Sequence, residues 1–290
     1  MRSLITLSIP IIFAQILQSA YQFTDAFWVG RLGGTAVAAV SVSFPITFFM
    51  IALGAGFAVS GSTLIAQYVG AKNEKMVNHV AAQTLLMVVV VSIVLGSLGF
   101  FLTSPLLTLM GVDADVYQNA KGFMQVSFIG MVFSFGFMMF QSVMRGIGQV
   151  KMPLYIVAGT VLLNFILDPL FIFGYGSFHG LGVMGAALAT LGTQSLATII
   201  GFFILLGGKY GIHLKLEDFK PDFAFIKRSF WLGFPASIEM SARAGGLTVM
   251  TFLIASFGTL AVASYGVGST ILQFVMIFCM GLSMAIATLV

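Results

Sequence analysis

Long apolar runs separated by short polar joints dominate this chain. With about 20 residues needed to cross a bilayer as a helix, the pattern predicts spans near 9–30, 37–67, 80–103, 118–144, 153–173, 184–206, 231–257 and 265–290. The joints carry the punctuation of helix ends: Arg31 to Thr35, Tyr68 to His79, Pro105 to Tyr117, Arg145 to Lys151, Gly174 to Gly182, Gly207 to Ser229 and Gly258 to Ser264. An all-α polytopic membrane protein follows. The Gly207 to Ser229 joint is the longest and most charged, with Lys215, Glu217, Asp218, Lys220 and Asp222 in one run. Mixed signs make it read as a solvated linker between two bundles rather than a surface for anionic lipid.

Shifting the chain by 225 residues lays the seventh span on the first without gaps: Leu7 and Pro10 fall on Leu232 and Pro235, and Gly33, Ala36, Val37, Ala38 and Val42 fall on Gly258, Ala261, Val262, Ala263 and Val267. Six intervening spans put both copies in the same orientation, a parallel repeat about an axis along the membrane normal. The expected organisation is a six-helix lobe over 1–206, an interlobe linker over 207–229 and the start of a second lobe over 230–290. A repeat of this period predicts roughly 450 residues in all, so the sequence is expected to be part of a longer protein.

Composition removes most alternatives. The chain is 59% hydrophobic and 8% charged, with a mean hydropathy of +1.07, too apolar to coat a soluble globule. Its net charge of +4 is no nucleic-acid signature, because the basic residues sit between spans. Arg2, Lys72, Lys75, Arg145, Lys151, Lys209, Lys215, Lys220, Lys227 and Arg228 share one side of the eight-span topology, against Arg31 and Lys121 on the other. The positive-inside rule then makes the N-terminus cytoplasmic, and the first span reads as a retained helix rather than a signal peptide. The single Cys279 allows no internal disulfide.

Against this background, Asp25, Asp168 and Glu239 stand out inside apolar stretches, where a carboxylate costs about 2.5–3.5 kcal/mol on insertion scales and marks function. Gln15, Gln18, Gln22 and Asp25 recur at helical spacing, confining them to an arc of roughly 80° that must face protein or water. Gln18 and Gln22 are candidates for a substrate cavity. Tyr21 lies one turn before Asp25. Asn164 and Asp168 are one turn apart, followed by Pro169, whose missing N–H leaves the Phe165 carbonyl free beside the carboxylate. Thr190 follows the small-residue run Gly182, Gly185, Ala186, Ala187, Ala189 and can add a hydroxyl from a closely packed helix. A proton shared by the two carboxylates and a sodium ion held by Asp25, Asn164 and Asp168 are both compatible with this set. Glu239 and Arg243, at i and i+4, read either as an ion pair or as further cavity residues. His79, His179 and His213 are scattered among the loops and read as solvated, not as metal ligands. No enzyme's set of nucleophile, base or metal ligands stands together, and no cofactor is implied.

The opening LSIPIIFAQILQSAYQFTDAFWVGRLGGTAVAAVS, the loop AQYVGAKNE, RGIGQVKMP before the fifth span, NFILDPLFIFG within it and LGVMGAALAT at the sixth together resemble the multidrug and toxic compound extrusion (MATE) family of secondary transporters, nearest its DinF-like branch. That resemblance implies two six-helix lobes, alternating access, and export of hydrophobic cationic small molecules against a proton or sodium gradient. It further implies a bacterial cytoplasmic membrane protein, monomeric when complete, in contact with membrane lipid. It places the ion-coupling network in the first lobe, at Tyr21, Asp25, Asn164, Asp168 and Thr190. The alternative from the same superfamily is a lipid-linked oligosaccharide flippase, which would favour a basic cavity.

Overall fold

The computed structural model describes residues 2–176, 178–255, 257 and 259–289. Eight α-helices run through them: α1 (Arg2–Gly30), α2 (Gly34–Gly70), α3 (Glu74–Leu109), α4 (Ala114–Gly146), α5 (Lys151–Phe173), α6 (Val183–Leu206), α7 (Phe223–Ala255) and α8 (Thr259–Leu289). Six of them, α1 to α6, are long and apolar enough to cross a membrane. Helices α7 and α8 have 33 and 31 residues, also enough length to cross. Most helices outrun the expected spans by a turn or more. The Tyr68 to His79 joint shrinks to three residues, with Asn73 capping α3 by accepting from the Met76 N–H at 3.1 Å, one of the four donors a helix start leaves over.

Helix α4 is the axis of the bundle. It packs on α2, α3 and α6 and buries Phe128, Phe135, Phe140, Met124, Met139 and Met144 almost completely. Lipid is as apolar as these side chains, so tight fit rather than water exclusion holds such helices together, and small residues set the approach. A methyl group added at Gly54 would run into the Phe135 ring, and one at Gly201 would lie 2.7 Å from the Phe140 ring.

Helix α1 packs on α5 and α8, while α5 packs on α6. Gly185, in the first turn of α6, sits against the Phe171 carbonyl of α5. The Leu181 and Gly182 amides donate to the Phe171 and Ile172 carbonyls at 2.9 and 3.1 Å, closing the end of α5. A two-residue antiparallel pair, Gly174–Tyr175 with Phe178–His179, lies in the connection between them.

The connection into α7 differs from the expected solvated loop. Helix α7 begins at Phe223, inside the predicted linker, and a 3₁₀ turn (Leu216–Phe219) precedes it. Ile212 and Leu214 are 1% and 3% exposed within the main core. Gln83 of α3, itself buried, donates to the Asp218 and Lys220 carbonyls, both at 2.8 Å, and accepts from the Asp222 N–H at 3.0 Å. The Asn78 side chain accepts from the His213 amide at 3.0 Å. His79 lies in α3 rather than a loop, half-buried, with Nε2 3.3 Å from the Asp222 carboxylate. The Asp222 carboxylate also accepts from the Phe225 N–H at 3.0 Å, capping α7; that bond first, and His79 after it, hold its carboxyl below the ordinary carboxylate range. An apolar alternation at 212 and 214 and a buried amide on α3 turn a charged run into a docked strap.

Helix α7 then lies along α2. Gly56 touches the Ser237 backbone, Gly233 meets Phe57, and the Phe57 and Phe230 rings stack at 5.0 Å. The C-terminus of α7 and the start of α8 follow those of α1 and α2 by the same 225 residues. Gly258 and Val290, and the side chains of Ala261, Val262, Ala263 and Val267, lie outside the described residues.

Candidate functional site

Three helices that meet at α5 carry the site. Asp25 comes from the last third of α1, Asn164 and Asp168 from one face of α5, and Thr190 from the second turn of α6. Asn164 and Asp168 are fully buried, and Asn164 Nδ2 donates to Asp168 Oδ1 at 2.9 Å. Thr190 Oγ1 donates to Asp25 Oδ2 at 3.3 Å. The Asp25 and Asp168 carboxyl groups are close enough to feel each other's charge. Helix α5 continues through Pro169, so the break in its hydrogen bonding falls beside Asp168 without unwinding the helix.

The arrangement leaves oxygens over. Asp25 Oδ1, Asn164 Oδ1 and Asp168 Oδ2 are buried with no hydrogen-bond partner. Buried acceptors are nearly always satisfied, and two facing carboxylates repel unless a positive charge stands between them. A set of hard oxygens with no thiolate or imidazole suits a proton or an alkali cation.

Tyr21, one turn before Asp25, is 8% exposed. Its hydroxyl sits 2.5 Å from Thr193 Oγ1. Beyond the site, toward the C-terminus of α1, Trp28 packs its ring 5.8 Å from Phe165 and 6.2 Å from Phe173. The Arg31 guanidinium lies 4.6 Å over the Phe27 ring and 5.1 Å over Trp28.

The MatE family profile matches residues 10–170, which covers α1 to α4 and the part of α5 bearing Asn164 and Asp168. The chain belongs to the MatE family. It is similar to the probable multidrug resistance protein YpnP of Bacillus subtilis, at 32% identity over 92% of this chain and 59% of that protein. It is also similar to the probable multidrug resistance protein YoeA of the same organism, at 30% identity over 99% of this chain and 63% of that one. The chain thus spans about three-fifths of the length of these curated relatives. A solved structure described as an outward-facing multidrug resistance MATE family transporter of the MOP superfamily superposes with a TM-score of 0.85, at 25% identity over 98% of this chain and 62% of that chain.

Within this MatE chain, five of the residues singled out in the sequence meet at one point: Tyr21, Asp25, Asn164, Asp168 and Thr190. The others do not join them. Gln18 is half-buried and Gln22 exposed on α1. Glu239 and Arg243 form an ion pair at 3.0 Å on an exposed face of α7. Among the described residues no group of three or more His, Cys, Asp or Glu side chains stands ready for a metal. Thr193 is the site residue that sequence reasoning missed. Its signal was present, one turn after Thr190 at i+3, but a threonine in a membrane helix ordinarily bonds back to its own carbonyls.

Proposed function

We propose that this chain is the ion-coupling part of a secondary antiporter that exports hydrophobic cationic small molecules in exchange for H⁺ or Na⁺ by alternating access. The reading rests on one observation above all, the three partnerless oxygens of Asp25, Asn164 and Asp168 between helices that cross the membrane. An arriving cation satisfies all three and cancels the repulsion between the carboxylates. Its departure restores the repulsion, so α1 and α5 have a reason to repack, and a ligand that favours one packing shifts the population toward it. The coupling ion enters as substrate, held by carboxylate and amide oxygens.

The relatives' names, both multidrug resistance proteins, support a drug-like cargo, and nothing in them favours a lipid-linked oligosaccharide. Phe and Met, 30 and 17 in number, offer polarizable and cation–π contacts to a flat cation. In this reading Gln18, Gln22, Glu239 and Arg243 border the substrate path, the N-terminus is cytoplasmic, and the protein resides in a bacterial cytoplasmic membrane. Residues 1–206 form the first lobe and 230–290 open the second.

Efflux of a fluorescent hydrophobic cation from vesicles containing the full-length protein, with a pH gradient in one preparation and a sodium gradient in another, tests the reading. Export under one of them names the ion. Export under neither, from protein shown to be inserted, removes it.

A further inference from the structure

Between the start of α5 and the end of α6 lies a groove of about 460 Å³. Its walls are apolar: Met152 from the first turn of α5, and Ile200, Phe203 and Ile204 from the last turns of α6. Phe203 is 68% exposed and Ile200 40%. Helix α7 packs on α2 and α8 on α1, which leaves this face of α5 and α6 to the bilayer.

The mouth of the groove has a different chemistry. Gly207 ends α6 without a side chain to close it, and Lys209 and Tyr210 line it beyond. This turn is held in place. Gly208 takes φ +70°, in the left-handed region, and a methyl group there would lie 2.6 Å from the His213 ring. Ile212 is buried in the main core, and the Leu214 amide donates to the Leu205 carbonyl at 3.3 Å. Lys209 is exposed, as is Lys151, the neighbour of Met152 at the start of α5. Among the described residues the ion pairs are His79 with Asp222 and Arg243 with Glu239, so neither lysine has a carboxylate partner there. Two strap carboxylates are engaged elsewhere, Asp218 with the Lys215 amide at 2.9 Å and Asp222 with the Phe225 amide at 3.0 Å. Lysine stems cover apolar surface while their ammonium groups reach the interface, and tyrosine is at home at headgroup level.

We propose that this groove is a binding site for an anionic phospholipid of the leaflet on the lysine-rich side. One acyl chain lies against Met152, Ile200 and Phe203, and the phosphate is held by Lys209 and Lys151, with the Tyr210 hydroxyl as a further donor. A zwitterionic headgroup brings its own ammonium, which both lysines repel, so the site selects net negative charge. A lysine beside the membrane surface is worth about fivefold in affinity for an anionic lipid, and the two together about twenty-fivefold. The site is separate from the carboxylate cluster and stands whatever the protein carries.

Native mass spectrometry of the full-length protein in detergent, titrated with phosphatidylglycerol or phosphatidylcholine at fixed ionic strength, tests the proposal. The first phosphatidylglycerol should bind about twenty-fivefold more tightly than phosphatidylcholine. Lys209→Gln should lower that affinity about fivefold, and Lys209→Gln/Lys151→Gln should bring it to the phosphatidylcholine level. Lys209→Arg should stay close to wild type, as should Lys121→Gln, near the start of α4 at the opposite end of the bundle. Equal affinity for the two lipids, or equal losses in Lys209→Gln and Lys121→Gln, would overturn the proposal. Displacement of phosphatidylglycerol by millimolar inorganic phosphate would overturn it too, since the groove would then be a site for the free anion.

Discussion

Replacing Gln83 with leucine removes three of the hydrogen bonds that dock the strap between α6 and α7. Gln83 is 1% exposed, and its amide satisfies the Asp218 and Lys220 carbonyls and the Asp222 N–H at 2.8–3.0 Å. At about 1 kcal/mol net for each bond, the strap loses about 3 kcal/mol of local stability. That corresponds to roughly a hundredfold rise in the opening equilibrium. Leucine fills a similar volume, so α3 itself stays folded. Native-state hydrogen exchange followed by mass spectrometry reads the effect directly. Peptides covering residues 207–222 should exchange about a hundredfold faster in the variant, with α4 peptides unchanged. Equal exchange in the two proteins, or a loss of protection spread evenly over α3 and α4, refutes the docking account. Gln83→Glu keeps the acceptor for Asp222 and loses both donors, so it should fall on the same side as leucine.

Gly56→Ala puts a methyl group into the Ser237 backbone at the α2–α7 crossing; the expected cost is about 1–3 kcal/mol, visible as a lower thermal midpoint in detergent, whereas Gly30→Ala, where the added atom meets nothing, should leave the midpoint within error. The Asp222 carboxyl titrates below its unfolded range, so its contribution to the strap is complete above the unfolded pKa and is lost as pH falls through the lower folded one. Protection of the strap relative to the intrinsic exchange rate at each pH should therefore be constant from neutral pH down to about 4 and fall only below, and Asp222→Ala should abolish that acid step. Thr190→Val removes the hydroxyl that donates to Asp25 and should lower the gradient-driven export rate several-fold, with Thr190→Ser close to wild type; equal rates in all three proteins would exclude the bond from the coupling step.

The buried carboxylate cluster was legible in the chain because cost made it so. A carboxylate in an apolar run needs a reason, and Asn164 with Asp168 at i+4 pointed to a shared face before any packing was known. Pro10 and Pro235 suggested a repeat in the sequence, and the helix ends at Gly30 and Ala255 share its offset. What the sequence hid was tertiary. Gln83 sits in an apolar stretch and its partners lie more than 130 residues away, so nothing local announces that it holds the strap. His79 was misread as a loop residue because α3 starts at Glu74, and its polar first turns resemble a joint. Thr193 was hidden by its ordinary appearance, since its bonds to Ala189 and Thr190 are what any helical threonine makes, and only the approach of Tyr21 gives its hydroxyl a second use. Gln18 and Gln22 share a helical face with Asp25 but stand outside the carboxylate cluster.

The most direct test of the central claim compares wild type with Asp25→Asn in vesicles under the gradient that drives export. Asparagine keeps the shape and the bond from Thr190 but removes the charge that the coupling ion must balance. The account predicts wild-type levels of inserted protein with gradient-driven export abolished. Export that continues in Asp25→Asn with the same dependence on the gradient would contradict it.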